Sequence, residues 1–167
     1  MSVDRRPLSA HDADAVIAIG PAGAITAGAF YHRASRLAEA LPHGQYVLNT
    51  CQDRYLFMLG LAAALIQGRP TLMPSSFTPG TLQQIQSHYA EVVCLHDGYQ
   101  RAEGVPGWQI EEEDGAVAPE QAQAPMIDAD QVAAIVFTSG STGEPTAHAK
   151  RWGRLCLNGA SEAERLG

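Results

Sequence analysis

Cysteine, basic side chains and long apolar runs are all scarce in this sequence of 167 residues. The three cysteines, Cys51, Cys94 and Cys156, lie far apart and form no C-x-x-C pair, which indicates neither a disulfide framework nor a zinc site. Lys and Arg number 11 against 18 Asp and Glu, giving a net charge of -7. Because nucleic acids and anionic lipid surfaces are bound through clustered basic side chains, this deficit argues against both as partners.

The apolar runs are too short to cross a bilayer. The longest covers residues 56–66, whereas a membrane-spanning helix needs about 20 residues. Arg5 and Arg6 near the N-terminus are not followed by an apolar stretch, so this segment does not have the form of a secretory signal. These features predict a cytoplasmic protein without membrane insertion. A chain of this length can bury one substantial core without disulfides or metal.

Short apolar segments alternate with helical patterns over the first hundred residues. Two short extended pieces around a turn are predicted between residues 15 and 27. Further strands are predicted at residues 45–50, 70–74 and 92–95, and helices at residues 28–41, from Asp53 to Gly68, and from Thr78-Pro79 onward. This order predicts an α/β fold with a mainly parallel sheet flanked by helices.

The same patterns predict three parts of the chain. Residues 1–97 form an N-terminal α/β subdomain, and residues 98–130 an irregular connection that contains acidic residues, prolines and glycines, with one strand near Trp108-Gln-Ile110. Residues 131–167 contain a strand, a phosphate-binding loop and the start of the following helix. Within this last part, residues 132–137 are continuously apolar, which is typical of a central parallel strand buried on both faces.

The most informative segment comes directly after that strand and reads Thr138-Ser-Gly-Ser-Thr-Gly143-Glu-Pro145. Ligands of open α/β sheets bind at the carboxyl ends of the strands, where backbone N–H groups of a glycine-containing loop and hydroxyl side chains can hold an anion. A polyphosphate is the expected ligand. The segment is neither a Walker A motif, because no Lys-Ser or Lys-Thr pair occurs in it, nor a G-x-G-x-x-G dinucleotide fingerprint.

This segment resembles the phosphate loop of the adenylate-forming enzymes, which include acyl-CoA and aryl-CoA synthetases, adenylation domains of peptide synthetases, and luciferases. Their loop reads approximately T-S-G-S-T-G-x-P-K-G after an apolar strand, and residues 138–145 match it position for position. The order of the upstream elements also resembles the N-terminal subdomain of that family. The extension Thr146-Ala-His-Ala-Lys-Arg-Trp152 is similar to the variant loop of synthetase-like proteins in bacterial aryl polyene pigment clusters.

The resemblance implies a cofactor-binding set and no protein metal site, and it leaves the catalytic residues unknown. That set consists of Thr138, Ser139, Gly140, Ser141, Thr142, Gly143 and Lys150. Lys150 is included because Thr146-Ala147 stands where the family usually has Lys-Gly, so that Lys150 or Arg151 could reach back to supply the missing charge. The alternative is that both are solvent-facing residues at the start of the next helix.

The resemblance further implies an AMP-forming ligase. Such an enzyme activates a fatty or aromatic carboxylic acid with ATP and Mg²⁺ to an acyl-adenylate, then transfers the acyl group to CoA or to a phosphopantetheine-bearing acyl carrier protein. The chain is interpreted as its N-terminal portion, with the downstream domains absent and no activity expected from this portion alone. The alternative is a non-catalytic module that binds nucleotide or phosphate. The six histidines show no metal-binding spacing and are interpreted as surface or core residues.

Overall fold

The computed structural model describes residues 3–111, 122–139 and 145–166. It confirms the α/β fold class: helices cover a six-stranded, mostly parallel sheet. The helices are α1 (Ala27–Ala40), α2 (Arg54–Ile66), α3 (Pro79–His88) and α4 (Trp152–Leu166). The strands are β1 (Arg5–Pro7), β2 (Val16–Gly20), β3 (Gly23–Thr26), β4 (Tyr46–Asn49), β5 (Thr71–Met73), β6 (Val92–His96), β7 (Gly107–Gln109), β8 (Met126–Asp128), β9 (Val132–Ser139) and β10 (Pro145–Arg151).

The large sheet has the strand order β10-β9-β5-β4-β6-β7. Its strand pairings are parallel except that of β9 with β10, which is antiparallel. The pieces predicted around residues 15–27 form the antiparallel hairpin β2–β3, and its turn includes Gly23 at a φ of 119°, a conformation that favours glycine. The order of strands and helices that the sequence predicts between residues 15 and 95 is thus the order that the structure has.

The large sheet lies between two helical layers because its strands are apolar on both faces. On one face, Val47 and Val93 pack with α1 and α2, and on the other face Leu48 and Cys94 pack with α3. Helix α2 contributes most to the first layer: eight of its residues are buried, as its nearly all-apolar sequence predicts. This arrangement leaves the ends of the strands as the accessible edges of the sheet.

The helix boundaries follow the capping residues identified in the sequence. Asp53 accepts a hydrogen bond from the backbone N–H of Leu56 at 2.9 Å and so caps α2. Thr78 caps α3, which has proline at its first position. Gly68 has a φ of 75° just beyond α2, and glycine tolerates this left-handed conformation. These three signals fix where the helices meet the sheet.

The C-terminal part of the chain departs from two predictions. Strand β9 is not central, because it lies next to the edge of the large sheet, and several of its residues are only half-buried. Lys150 and Arg151 do not begin a helix: they end β10, and α4 begins at Trp152. The short connection between Ser139 and Pro145 accounts for the antiparallel pairing of β10, since parallel strands need a crossover of a dozen or more residues whereas antiparallel strands can be joined by a few.

Two strands occur in the connection for which the sequence predicts irregular structure. One is β7, close to the expected strand at Trp108, and the other is β8, which pairs antiparallel with β1 at the start of the chain. Each is three residues long, and the β1–β8 pairing joins segments far apart in sequence, so no local pattern indicates it. None of the helices in the described residues is both long and apolar enough to cross a membrane.

Candidate functional site

The carboxyl ends of β4, β5, β6 and β9 lie along one edge of the large sheet because these strands are parallel. Polar side chains occur at the ends of three of them: Asn49 at the end of β4, Asp97 after β6 and Thr138 near the end of β9. This is the edge at which open α/β sheets bind ligands. The partners of these three side chains therefore determine which of them is available to a ligand.

Asn49 is engaged within the fold. Its side-chain amide donates to the carbonyl of Phe57 at 2.9 Å, and its side-chain oxygen accepts from the backbone N–H of Cys51 at 3.2 Å. Only 4% of Asn49 is exposed, so both bonds are made away from solvent. Asn49 thus ties the end of β4 to α2, which is a structural role.

Asp97 is also engaged. One carboxylate oxygen accepts from the backbone N–H groups of Gln52 and Asp53, at 2.6 and 2.8 Å, and the other accepts from that of Tyr99 at 3.3 Å. Burial alone raises the pKa of Asp97, but these backbone donors outweigh it and hold the pKa below its ordinary value. Asp97 is therefore a carboxylate that organises the start of α2.

The end of β9 is anchored by aromatic packing on the α3 face of the sheet. The rings of Phe137 and Tyr89 meet edge to face with 5.8 Å between their centroids, and Tyr89 meets Tyr46 in the same way at 5.0 Å. A cleft of about 180 Å³ opens beside them between α3 and the β9–β10 hairpin. Because side chains alternate along a strand, Phe137 pointing to α3 directs Thr138 to the opposite face.

Thr138 and His148 form a polar pair on that opposite face. The Thr138 hydroxyl and Nε2 of His148 are 3.1 Å apart, within hydrogen-bond distance, and both residues are exposed. In the register of the hairpin Thr138 lies opposite Thr146, so His148 is its diagonal neighbour, the usual geometry of such a contact. The pair lies next to the connection between β9 and β10.

The structure brings the predicted phosphate loop to the expected edge without describing all of it. Ser139 pairs with Pro145 at the end of the hairpin, so the loop leaves and re-enters the sheet at neighbouring positions. Gly140, Ser141, Thr142 and Gly143 lie outside the described residues. Of the predicted residues in the loop itself, Thr138 is the one whose side chain the structure places, and its hydroxyl is at the carboxyl edge.

Lys150 is set apart from the described ends of the loop. It lies opposite Ala134, five positions along β10 from Pro145 and four from Thr146, the partner of Thr138, or about 17 and 14 Å at the usual rise of a strand. Both spans exceed the reach of a lysine side chain and the distance of about 8 Å over which exposed charges act at physiological salt. Arg151 is turned away as well, because its guanidinium donates to the backbone carbonyl of Asp130. The structure therefore does not bring either cation to Thr138.

His148 lies near this edge, although the sequence patterns do not indicate it as a site residue. A signal is nonetheless present in the alternation of Thr146, His148 and Lys150 with Ala147 and Ala149, which is the period of a strand. Because a helix is expected to begin in this segment, the sequence does not show that Thr146 and His148 share a face with Thr138. Within the described residues, no group of three or more His, Cys, Asp or Glu side chains is placed to hold a metal ion.

Comparisons with known proteins identify the fold. No protein-family model matches the chain, and no curated protein sequence matches it. Solved structures do match. o-Succinylbenzoate CoA synthetase (MenE) from Bacillus subtilis, in a complex with a product analogue, gives a TM-score of 0.75 at 18% identity over 98% of this chain and 37% of that one. The same synthetase has been solved with AMP and with its acyl-adenylate intermediate.

Two further structures share the arrangement. Apo MatB from Rhodopseudomonas palustris has a TM-score of 0.66 at 20% identity, over 90% of this chain and 34% of that one. The N-terminal subdomain of NpsA from Klebsiella oxytoca, in complex with 3-hydroxybenzoyl-AMSN, has a TM-score of 0.58 at 20% identity, over 83% and 37%. The chain thus has the fold of one part of these proteins, and it spans little more than a third of their length.

Proposed function

We propose that this chain is the N-terminal portion of an AMP-forming ligase of the adenylate-forming family, which activates a carboxylic acid with ATP. The observation that carries the proposal is the position of the segment 138–145. This segment joins β9 to β10 at the carboxyl edge of a fold shared with a synthetase that has been solved with AMP and with an acyl-adenylate. Its hydroxyl and glycine residues suit a polyphosphate at that edge.

The proposed reaction has two steps. A carboxylate oxygen attacks the α-phosphorus of ATP, forming the acyl-phosphate bond while the α–β anhydride bond breaks and pyrophosphate leaves. A thiol of CoA or of an acyl carrier protein then attacks the acyl carbon, releasing AMP and losing its proton to solvent. Mg²⁺ is proposed as the counter-ion of the ATP phosphates, which is how it commonly binds with nucleotides. The acid is fatty or aromatic.

The role proposed for this chain is to hold the phosphates that leave. Thr138, Ser139, Gly140, Ser141, Thr142 and Gly143 line the phosphates, with the Thr138 hydroxyl as a donor from the end of a strand. The described residues fit this role, because the Thr138 side chain is exposed whereas Asn49 and Asp97 are engaged elsewhere. The inclusion of Lys150 remains a prediction, and its distance from Pro145 argues for a small contribution.

The site is tested by titrating this chain with Mg²⁺-ATP and measuring the backbone amide chemical shifts of residues 138–144 and 146. We expect Thr138→Val, which keeps the branched shape but removes the hydroxyl, to weaken binding by about fivefold, the usual value of one hydrogen bond. Ser87→Ala is the matched control, because it removes an exposed hydroxyl near the C-terminal end of α3, outside the proposed site. Equal ATP affinity in Thr138→Val and the unaltered chain would remove Thr138 from the site.

The reaction is tested by carboxylate-dependent exchange of pyrophosphate into ATP. The assay uses the complete protein to which this chain belongs and a panel of aromatic and fatty acids. We expect exchange with at least one acid, and none from residues 1–167 alone. ATP binding without exchange across the panel would support the second candidate, a non-catalytic nucleotide-binding module, which the absence of a lysine at Thr146 favours.

A further inference from the structure

The segment proposed to hold polyphosphate carries no positive charge of its own. Residues 138–147 contain Glu144 but no Lys, Arg or His, although a bound polyphosphate brings several negative charges to them. Phosphate sites generally combine backbone donors with a cationic side chain. A cation should therefore come from a neighbouring position, and the hairpin register shows which position is closest.

His148 is the first side chain after the segment that can carry a positive charge, and it is directed towards it. Its Nε2 atom lies 3.1 Å from the hydroxyl of Thr138, although its backbone lies opposite Val136, two residues farther from the loop. The imidazole thus leans along the hairpin towards the carboxyl end of β9. Both residues are exposed, so the space beyond the pair is open to a ligand.

The protonation state of His148 also decides what Thr138 can offer to a phosphate. In a neutral imidazole with the proton on Nδ1, Nε2 accepts the hydroxyl proton of Thr138, which is then unavailable. In the imidazolium form, Nε2–H donates to the Thr138 oxygen, and the hydroxyl proton is free to donate to a phosphate oxygen. A neutral imidazole with its proton on Nε2 also donates to Thr138 and frees the hydroxyl proton. What protonation alone adds at this place is the positive charge.

We propose that His148, held by Thr138, is the cation that a polyphosphate uses at this edge of the sheet, so that binding takes up a proton. This inference rests on the proposed function, that is, on phosphate binding at the end of β9. Histidine changes its charge between pH 5 and 8, whereas a lysine stays charged throughout that range. Phosphate binding at this site thus depends on pH in a way that a lysine-containing loop does not.

The charges around His148 are few in the elements packed against β10. Strand β9 has no ionisable residue, and β10 itself carries Lys150 on the same face, two positions farther from the loop. It also carries Arg151, whose guanidinium donates to the backbone carbonyl of Asp130. In α4 the nearest charge in sequence is Arg154. These neighbours are cations that stay charged between pH 5 and 8, so they do not produce a pH dependence in this range.

The experiment measures Mg²⁺-ATP affinity by calorimetry at pH 6 and pH 8 for the unaltered chain and for His148→Gln. Glutamine can still bond to Thr138 but carries no charge. Because ATP also titrates in this range, the informative quantity is the ratio of the two affinities at each pH. At pH 6 we expect the unaltered chain to bind ATP about fivefold more tightly than His148→Gln, which is the effect of one charge pair at about 4 Å. At pH 8 we expect the two affinities to be nearly equal.

Three further variants complete the test. His148→Lys should restore the affinity at both pH values, and His43→Gln, at a position before β4 and so at the opposite end of the sheet, should match the unaltered chain. The affinity of Lys150→Ala should stand in the same ratio to that of the unaltered chain at pH 6 and at pH 8. Calorimetry at pH 6.5 in two buffers of different ionisation enthalpy should show proton uptake that His148→Gln reduces.

The outcomes separate this inference from the proposed function. One outcome is that ATP changes the amide chemical shifts of the loop while the affinity ratio of the unaltered chain to His148→Gln is the same at both pH values. That outcome would overturn the role of His148 and leave the phosphate site intact. A loss of affinity of the same size at both pH values in Lys150→Ala, with none in His148→Gln, would assign the charge to Lys150 and overturn the inference too. Absence of ATP binding to every variant at both pH values would overturn the phosphate site and the inference together.

Discussion

The contact between Gly60 and Asn49 allows a quantitative prediction about how α2 is held against the carboxyl edge. A Cβ atom at Gly60 would lie 2.8 Å from the side-chain nitrogen of Asn49 and 3.0 Å from Cδ1 of Ile110. The nitrogen of Asn49 has little freedom to move, because it donates to the carbonyl of Phe57 and is buried. Gly60→Ala therefore forces this amide away from its acceptor or displaces the helix.

Two opposing terms set the size of the effect. Alanine is favoured over glycine within a helix by about 0.5–1 kcal/mol. Against this, overpacking costs about 1–3 kcal/mol, and a buried amide left without its acceptor costs about 1–3 kcal/mol. We expect a net loss of about 2 kcal/mol, which lowers the Tm of a chain of this size by about 4–8 °C.

The assay is thermal unfolding by circular dichroism with Gly159→Ala as the matched control. Gly159 is also within a helix, α4, but a Cβ there has no heavy atom within 4 Å. Only the favourable helix term then remains, so the control should gain up to about 1 kcal/mol and raise the Tm by a few degrees. A Tm for Gly60→Ala equal to or above that of the unaltered chain would refute the close packing between α2 and Asn49.

Two other predictions concern ionisable groups. Because the folded pKa of Asp97 lies below its unfolded value of 3.8, its contribution is present at neutral pH and is lost as the pH falls through the folded pKa. Asp97→Asn should thus cost about 1–2 kcal/mol at pH 7 in urea unfolding, and the difference should shrink below pH 4; a constant difference would contradict this. Burial raises the pKa of the Cys51 thiol to about 12, so iodoacetamide at pH 8 should label it far more slowly than in the unfolded chain. Mass spectrometry of the labelled peptides measures this, and equal rates would contradict it.

Local signals predict the first half of the fold because they act locally. Asp53, Thr78-Pro79 and Gly68 each determine a helix end through the backbone of their own neighbours, so their effect can be inferred from a few residues. The pairing of β1 with β8 depends on two three-residue strands more than a hundred residues apart. Nothing in either strand specifies the other, and only the folded chain brings them together.

The candidate site shows the same limit at closer range. The composition of residues 138–145 predicts a phosphate loop, and the strand before it places that loop at the carboxyl edge. The position of the next segment depends on whether it is a helix or a strand. A helix would carry Lys150 and Arg151 back over the loop, whereas an antiparallel strand carries them away. Strand alternation then selects His148, because every second residue of β10 faces the side of Thr138. The direction of one strand thus decides which side chain can meet a phosphate, and the comparison of His148→Gln with Lys150→Ala tests that direction in solution.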